Sequence, residues 1–162
     1  MKFSSKSSFS ELIDNGAPIF EVFDEKNNLI KEYKYWKLLV RNRNTTLGNC
    51  VAITKRHMEK FSEVAPEEMQ EFAQVVKDIE GALQRSFAYD KINYLMLMMK
   101  DSHTHFHIIP RYASPRDFAG IQWTDDDWPK SSHLVKAEAP QEILRQIKQE
   151  IIKNLNIGVE LR

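Results

Sequence analysis

The stretch His103-Thr104-His105-Phe106-His107-Ile108-Ile109-Pro110-Arg111-Tyr112 opens with histidine on every second residue. Successive side chains of an extended strand point to opposite faces, so this spacing predicts that His103, His105 and His107 share one face. Thr104, Phe106 and Ile108 then share the other, which reads as the core side. The chain holds 5 histidines, and three stand in this row, so the chemistry is expected to centre on this strand.

Three readings of such a row compete. One is packing, usual for a lone histidine but not for a triple at this spacing. Another is a metal site, since neutral imidazole binds zinc. Geometry counts against all three on one ion: at a rise of ~3.3 Å per residue, the Cα atoms of His103 and His107 lie ~13 Å apart. Two of them with help from the acidic run Asp125 to Asp127 remain conceivable ligands. The last is nucleophilic catalysis on phosphorus. A neutral ring nitrogen is available near pH 7, and neighbours along the strand can orient it or donate to phosphate oxygens.

Composition narrows the classes. With 162 residues the chain is long enough for one domain with a real core, and its 42% hydrophobic and 28% charged residues suit a globular protein. A formal net charge of +0 gives no global field toward nucleic acid or an anionic membrane, so neither is expected as a partner. The single cysteine, Cys50, excludes an intramolecular disulfide and reads as a small buried strand residue. Met1 to Ser8 has no apolar core for a signal peptide, and no run is long enough to span a bilayer. A cytoplasmic location is the expectation.

Taken in order, the chain first offers a short helix at Phe9 to Ile13. Pro18 to Phe23 alternates and reads as a strand, the cluster Asp24 to Asn28 as a turn, and Leu29 to Tyr33 as the return strand of that hairpin. Tyr35 to Val40 and Asn49 to Thr54 read as further strands of an antiparallel meander, joined by the polar connector Arg41 to Thr46. From Pro66 the period changes: Met69, Phe72, Val76, Ile79, Leu83 and Phe87 mark one face of a helix, with Pro66, Glu67 and Glu68 suited to its first turn. Lys91 to Met99 reads as a strand pairing with His103 to Tyr112, with ladder pairing ending near Pro110. Residues 113–139 show no period; Trp123, Trp128 and Asp125 to Asp127 stand out there. Leu144, Ile147, Ile151 and Leu155 mark a last helix within Pro140 to Leu155. The sum is an α+β domain, an antiparallel sheet with helices on one side.

The string His103 to Arg111 resembles the signature of the histidine triad (HIT) family of nucleotide hydrolases and transferases. Upstream, Gly48-Asn49-Cys50-Val51-Ala52-Ile53-Thr54-Lys55-Arg56-His57 resembles that family's earlier strand ending in a basic pair and a histidine, before a helix. Asn93 stands where the family has an active-site asparagine. The resemblance spans about residues 18–112. It implies a single HIT-like domain over 1–162: a catalytic core at 18–112 with a long central helix, and a C-terminal extension, 113–162, bearing the second helix.

By that resemblance His105 is the nucleophile that attacks the α-phosphorus of a dinucleoside polyphosphate or a nucleoside phosphoramidate and carries the nucleotidyl group. His107 and His57 contact the phosphate or the network around it, His103 sets the hydrogen bonding, and Asn93 holds phosphate or positions a strand. The family implies a purine nucleotide substrate, a homodimer, and no metal for the chemical step, a divalent ion entering at most with the nucleotide. The alternative is a nucleotide-binding module with little or no turnover. One departure bears on it: many family members carry glycine and a small polar residue just before the triad, whereas this chain has Met98-Met99-Lys100-Asp101-Ser102. Ser102 and Lys100 are the phosphate contacts available there. Trp123 and Trp128, within a Trp-Thr-Asp-Asp-Asp-Trp-Pro segment that resembles some bacterial members, either cover a base or a partner or anchor a long loop.

Overall fold

The computed structural model describes residues 18–134 and 137–155; the expected helix at Phe9 to Ile13 lies outside them. In chain order the elements are α1 (Pro18–Val22), α2 (Glu25–Asn28), β1 (Leu29–Glu32), β2 (Trp36–Val40), β3 (Cys50–Thr54), a 3-10 turn (Phe61–Glu63), α3 (Pro66–Phe87), β4 (Lys91–Leu95), β5 (His105–Arg111), β6 (Arg116–Phe118), β7 (Ile121–Trp123) and α4 (Gln141–Leu155). The main sheet is antiparallel with order β1-β2-β3-β5-β4, so β3 and β5 lie inside it and β4 forms one edge.

Helix α3 runs between the limits that its periodicity predicts. Pro66 occupies its first turn, the Glu68 carboxylate accepts the Ala65 N–H at 2.9 Å, and Ala88 closes the helix in the left-handed region. Its apolar stripe (Phe72, Val75, Ile79, Leu83) packs with Trp36, Leu38 and Val40 of β2 and Ile108 of β5. Helix α4 adds Leu144, Ile147 and Ile151 to the same core, lying against α3 and β1. The C-terminal extension therefore completes the main core. At the start of β3, Gly48 has φ +87°, and a Cβ there would come within 3.0 Å of the Phe87 ring.

Several expectations give way. Pro18 to Phe23 is helix for most of its length and not a strand: Ile19, Phe20 and Phe23 fit a helical face as well as an alternating one, and here they close over the opposite side of the sheet, against Leu39, Val51 and Ile53. Glu25–Asn28, expected as a turn, forms the short α2, and β1 pairs with β2 instead of returning along residues 18–23. Strand β4 stops at Leu95, opposite His107; Met96 to Met99 leave the ladder before β5 ends, toward the turn that Met98 makes at positive φ. The ladder does end near Pro110, one residue on at Arg111, with Pro110 itself still opposite Ile92. The Pro110 carbonyl accepts from Thr46 Oγ1 at 2.6 Å, so its amide edge points away from β4, on the side where β3 pairing has ended at Ile108, and the missing donor is not needed. Residues 116–123 form a hairpin across Ala119 and Gly120, both at positive φ; strands of three residues are too short to show a period. No helix among the described residues is long and apolar enough to cross a membrane.

Candidate active site

Alternation sorts the sheet into two faces. Lys37 and Leu39 of β2, Val51 and Ile53 of β3, and His105 and His107 of β5 share the face beneath α1, with Ile53 beside His105 and Val51 beside His107. His103 precedes β5 and is not a ladder residue as expected, yet its ring comes to the same side. The Phe20 ring lies 5.8 Å from His103, and Phe23 lies 5.8 Å from His105 and 6.0 Å from His107. All three imidazoles are buried, His105 to 3% exposure.

Hydrogen bonds fix the protonation pattern. His103 Nε2 sits 2.7 Å from the Thr54 carbonyl, which can only accept, so Nε2 carries the proton and Nδ1 of the neutral ring is an acceptor. His57 Nδ1, 3.2 Å from His103 Nδ1, is then the donor in that contact. His105 Nδ1 lies 2.6 Å from the His103 carbonyl and donates to it, which leaves His105 Nε2 unprotonated with its lone pair free. The His105 and His107 ring centroids are 5.0 Å apart, and His107 Nδ1 is buried without a partner.

Burial holds the three rings neutral. It pushes His107 down to about 3, with the Arg41 guanidinium and His105 adding to the effect. His103 is lowered to about 4, burial outweighing the Thr54 hydrogen bond. His105 is lowered by burial, opposed by its bond to the His103 backbone and by Asp101, and lowered further by Arg41. A neutral imidazole with one nitrogen tied back and the other bare is what nucleophilic attack requires. Among the described residues no three of His, Cys, Asp and Glu converge on a point that a metal ion could share.

The HIT domain family matches residues 23–114. The chain belongs to the HIT family. An uncharacterized HIT-like protein of Methanocaldococcus jannaschii is 28% identical over 109 residues, covering 64% of this chain and 78% of the relative. A hypothetical histidine triad nucleotide-binding protein from Sulfolobus tokodaii superposes with a TM-score of 0.60 at 20% identity, over 94% of this chain and 95% of that one. Diadenosine triphosphate hydrolase of Plasmodium falciparum gives 0.61 at 15% identity, over 81% and 78%. At such identities these two solved structures show a shared fold.

In this HIT protein His57, His103, His105 and His107 come together, and three further expected residues do not join them directly. Asn93 lies opposite Ile109, two residues beyond His107, and its Oδ1 accepts from Arg111 Nη1 at 2.9 Å. Lys100 and Ser102 are exposed in the segment before β5. Met98 in that segment has φ +53°, a conformation that favours glycine, so the backbone makes the turn with a side chain in place. Trp123 is half-buried, its Nε1 donating to the Phe118 carbonyl at 3.2 Å, which fits the anchoring reading. Trp128 lines a cleft of about 370 Å³ with Lys91, Asn93, Arg111 and Lys130.

Sequence reasoning passed over two groups. Arg111, at the end of the histidine string, forms a buried ion pair with Asp125 (Nε to Oδ2 2.7 Å) and donates to the Lys130 carbonyl. That pair takes Asp125 away from the histidines; Asp127 meets His133 instead. An arginine among buried strand residues, with an acidic run downstream, was the available signal. Arg41, in what reads as a mere polar connector, extends the Lys37 and Leu39 alternation onto the histidine face.

Proposed function

We propose that this protein is a nucleotidyl hydrolase or transferase that acts at the α-phosphate of a purine nucleotide substrate, on a phosphoanhydride or phosphoramidate bond. The observation that carries the reading is the His105 ring, held by the donation of Nδ1 to the His103 carbonyl with Nε2 bare. The Nε2 lone pair forms a bond to phosphorus, the bond from phosphorus to the leaving group breaks, and the leaving oxygen or nitrogen departs with that electron pair and takes up a proton. Water or another acceptor then attacks the nucleotidyl-His105 and returns the imidazole. Family membership supports the substrate class, as do the nucleotide-related names of the two structural neighbours.

His107, its Nδ1 unpartnered beside His105, is suited to donate to a phosphate oxygen; His57 and His103 orient the nucleophile's surroundings. Asn93 acts one step removed, through Arg111, while Lys100 and Ser102 are free to meet outer phosphates. No residue is assigned to a metal, and a divalent ion would enter with the nucleotide. A cytoplasmic homodimer is part of the same reading: β4 is an unpaired edge, and Leu97 and Met99 beyond it are exposed apolar side chains.

The test is incubation with dinucleoside polyphosphates and nucleoside phosphoramidates, with turnover followed by chromatography and the adduct trapped for mass spectrometry. His105→Ala is expected to abolish both; full activity in that variant refutes the mechanism. One observation favours a second reading, a binding module: the segment just before the triad, Met98 to Ser102, has no glycine, and a side chain occupies its positive-φ turn at Met98. Calorimetric binding of a mononucleotide with no turnover on any substrate would establish it.

A further inference from the structure

Arg41 is the residue whose surroundings the reading above leaves unexplained. Its backbone is fixed: the Arg41 N–H donates to the Asn49 carbonyl at 2.8 Å, and its own carbonyl accepts from Asn44 Nδ2 at 2.6 Å. Asn44 Oδ1 in turn accepts from the Gly48 and Asn49 amides, and Asn49 Oδ1 from Thr45, so the 41–49 loop is tied to itself by side chains. With Cys50 opposite Ile108, Asn49 falls beside Ile109, and Arg41 stands on the histidine face two residues along the ladder from the row containing Val51 and His107.

Its side chain is only partly satisfied. A guanidinium has five N–H donors; here Nη1 donates to the Arg43 carbonyl at 2.8 Å and Nη2 to the Leu134 carbonyl at 3.2 Å, while Nε is buried without a partner. Lys37 and Arg111, on the same face, are paired with Glu25 and Asp125. Arg41 has no carboxylate within ion-pair distance among the described residues. Its charge is felt at both His105 and His107, and burial lowers the guanidinium itself to about 10. A desolvated cation without a counter-charge is costly, and here it shares a sheet face with a second orphaned polar atom, His107 Nδ1, on a ring that its charge reaches. Two unpartnered nitrogens on one wall, one of them cationic, leave room in the bonding scheme for an anion.

We propose that Arg41 binds a second anionic group of the substrate, next to the phosphoryl group that His105 attacks, and so selects polyphosphates over phosphoramidates. The inference rests on the nucleotidyl-transfer reading. A phosphoanhydride presents charged phosphate on the leaving side, which a guanidinium can hold by charge-assisted hydrogen bonds. A phosphoramidate with an uncharged amine substituent presents none.

The experiment compares wild type, Arg41→Lys and Arg41→Met, each full-length and checked for folding by circular dichroism and melting. It measures kcat/KM for diadenosine triphosphate and for an adenosine 5′-phosphoramidate, and the affinities for ADP and AMP by calorimetry. In Arg41→Met the polyphosphate kcat/KM and the preference for ADP over AMP should each fall about 10- to 100-fold, the worth of one charge-assisted hydrogen bond. The phosphoramidate value should move less than about threefold, and Arg41→Lys should lie between. Equal loss on both substrates, or loss on neither, with wild type active, overturns the role of Arg41 and leaves the nucleotidyl-transfer reading intact. If wild type binds ADP without turning over either substrate, the calorimetric ratio decides for or against Arg41. If it neither binds nor cleaves any nucleotide, the functional reading fails, and this inference with it. Should Arg41→Met not fold, Arg41→Lys alone decides, because it keeps the charge and loses the Nε donor.

Discussion

Replacing Asp125 with alanine should be among the most damaging single changes available outside the helical core. The carboxylate accepts from Arg111 Nε at 2.7 Å and Nη2 at 3.1 Å, and from the Tyr112 N–H at 3.2 Å. The two side chains are 4% and 1% exposed, so water cannot take over when one is removed. Arg111 would then be a buried cation whose remaining partners, the Asn93 amide oxygen and the Lys130 carbonyl, are neutral. Breaking a buried pair in this way costs about 3–5 kcal/mol, a large share of the roughly 5–15 kcal/mol of a typical domain. With a urea slope of about 2 kcal/mol per molar, the midpoint should fall by about 2 M. The double variant Arg111→Met with Asp125→Leu removes both charges and should recover to within about 1.5 kcal/mol of wild type. Urea unfolding followed by tryptophan fluorescence measures all three proteins. An Asp125→Ala midpoint within about 0.3 M of wild type, or a double variant worse than the single, would refute this assignment of the stability.

Acid should loosen the molecule through its histidines. His103 and His107 are lowered in the folded state to about 4 and about 3, from about 6.5 unfolded, so below pH 6.5 the unfolded chain binds more protons. Their stabilising contribution is complete above pH 6.5, is lost progressively as pH falls from 6.5 toward the folded values, and is fully lost below them; at pH 5 each has given up about 2 kcal/mol. Urea midpoints at pH 7 and pH 5 check this, and pH-independent midpoints would contradict it. Gly48→Ala should cost about 2 kcal/mol or more, because φ +87° strains any Cβ and the new methyl meets the Phe87 ring at 3.0 Å; the melting temperature reads it. Ile147→Ala, emptying a fully buried position between α4 and the sheet, should cost about 2–5 kcal/mol by chemical denaturation. His103→Ala should still form the nucleotidyl adduct, at a reduced rate, whereas His105→Ala forms none; mass spectrometry after rapid quenching separates them.

What could be read from residues alone followed the range of the interactions. Helix α3 was legible to its ends because twenty-two residues carry one stripe, a proline at the start and no competing period. The histidine row was legible because alternation is local. Pro18 to Phe23 is ambiguous in the sequence because six residues fit both periods, and what decides is the sheet face that Phe20 and Phe23 cover, formed by β2, β3 and β5 far along the chain. Asn93 has a family-like place in the sequence; the ladder register, which only the fold supplies, sets it opposite Ile109, where its amide oxygen accepts from Arg111. Arg41 is not legible in the sequence because a polar loop gives no sign of which side chain is folded inward; Asn44 and Asn49 decide that through bonds to amides.

The group that holds His105 in its tautomer is the carbonyl of residue 103, a main-chain atom. No codon specifies it, and no single substitution deletes it. A sequence drifting under mutation can change the side chain at 103 and still inherit the lock, so long as β5 keeps its path. Inactivation by point mutation therefore has few routes through this contact: either the imidazole at 105 goes, or the strand that delivers the carbonyl must be displaced.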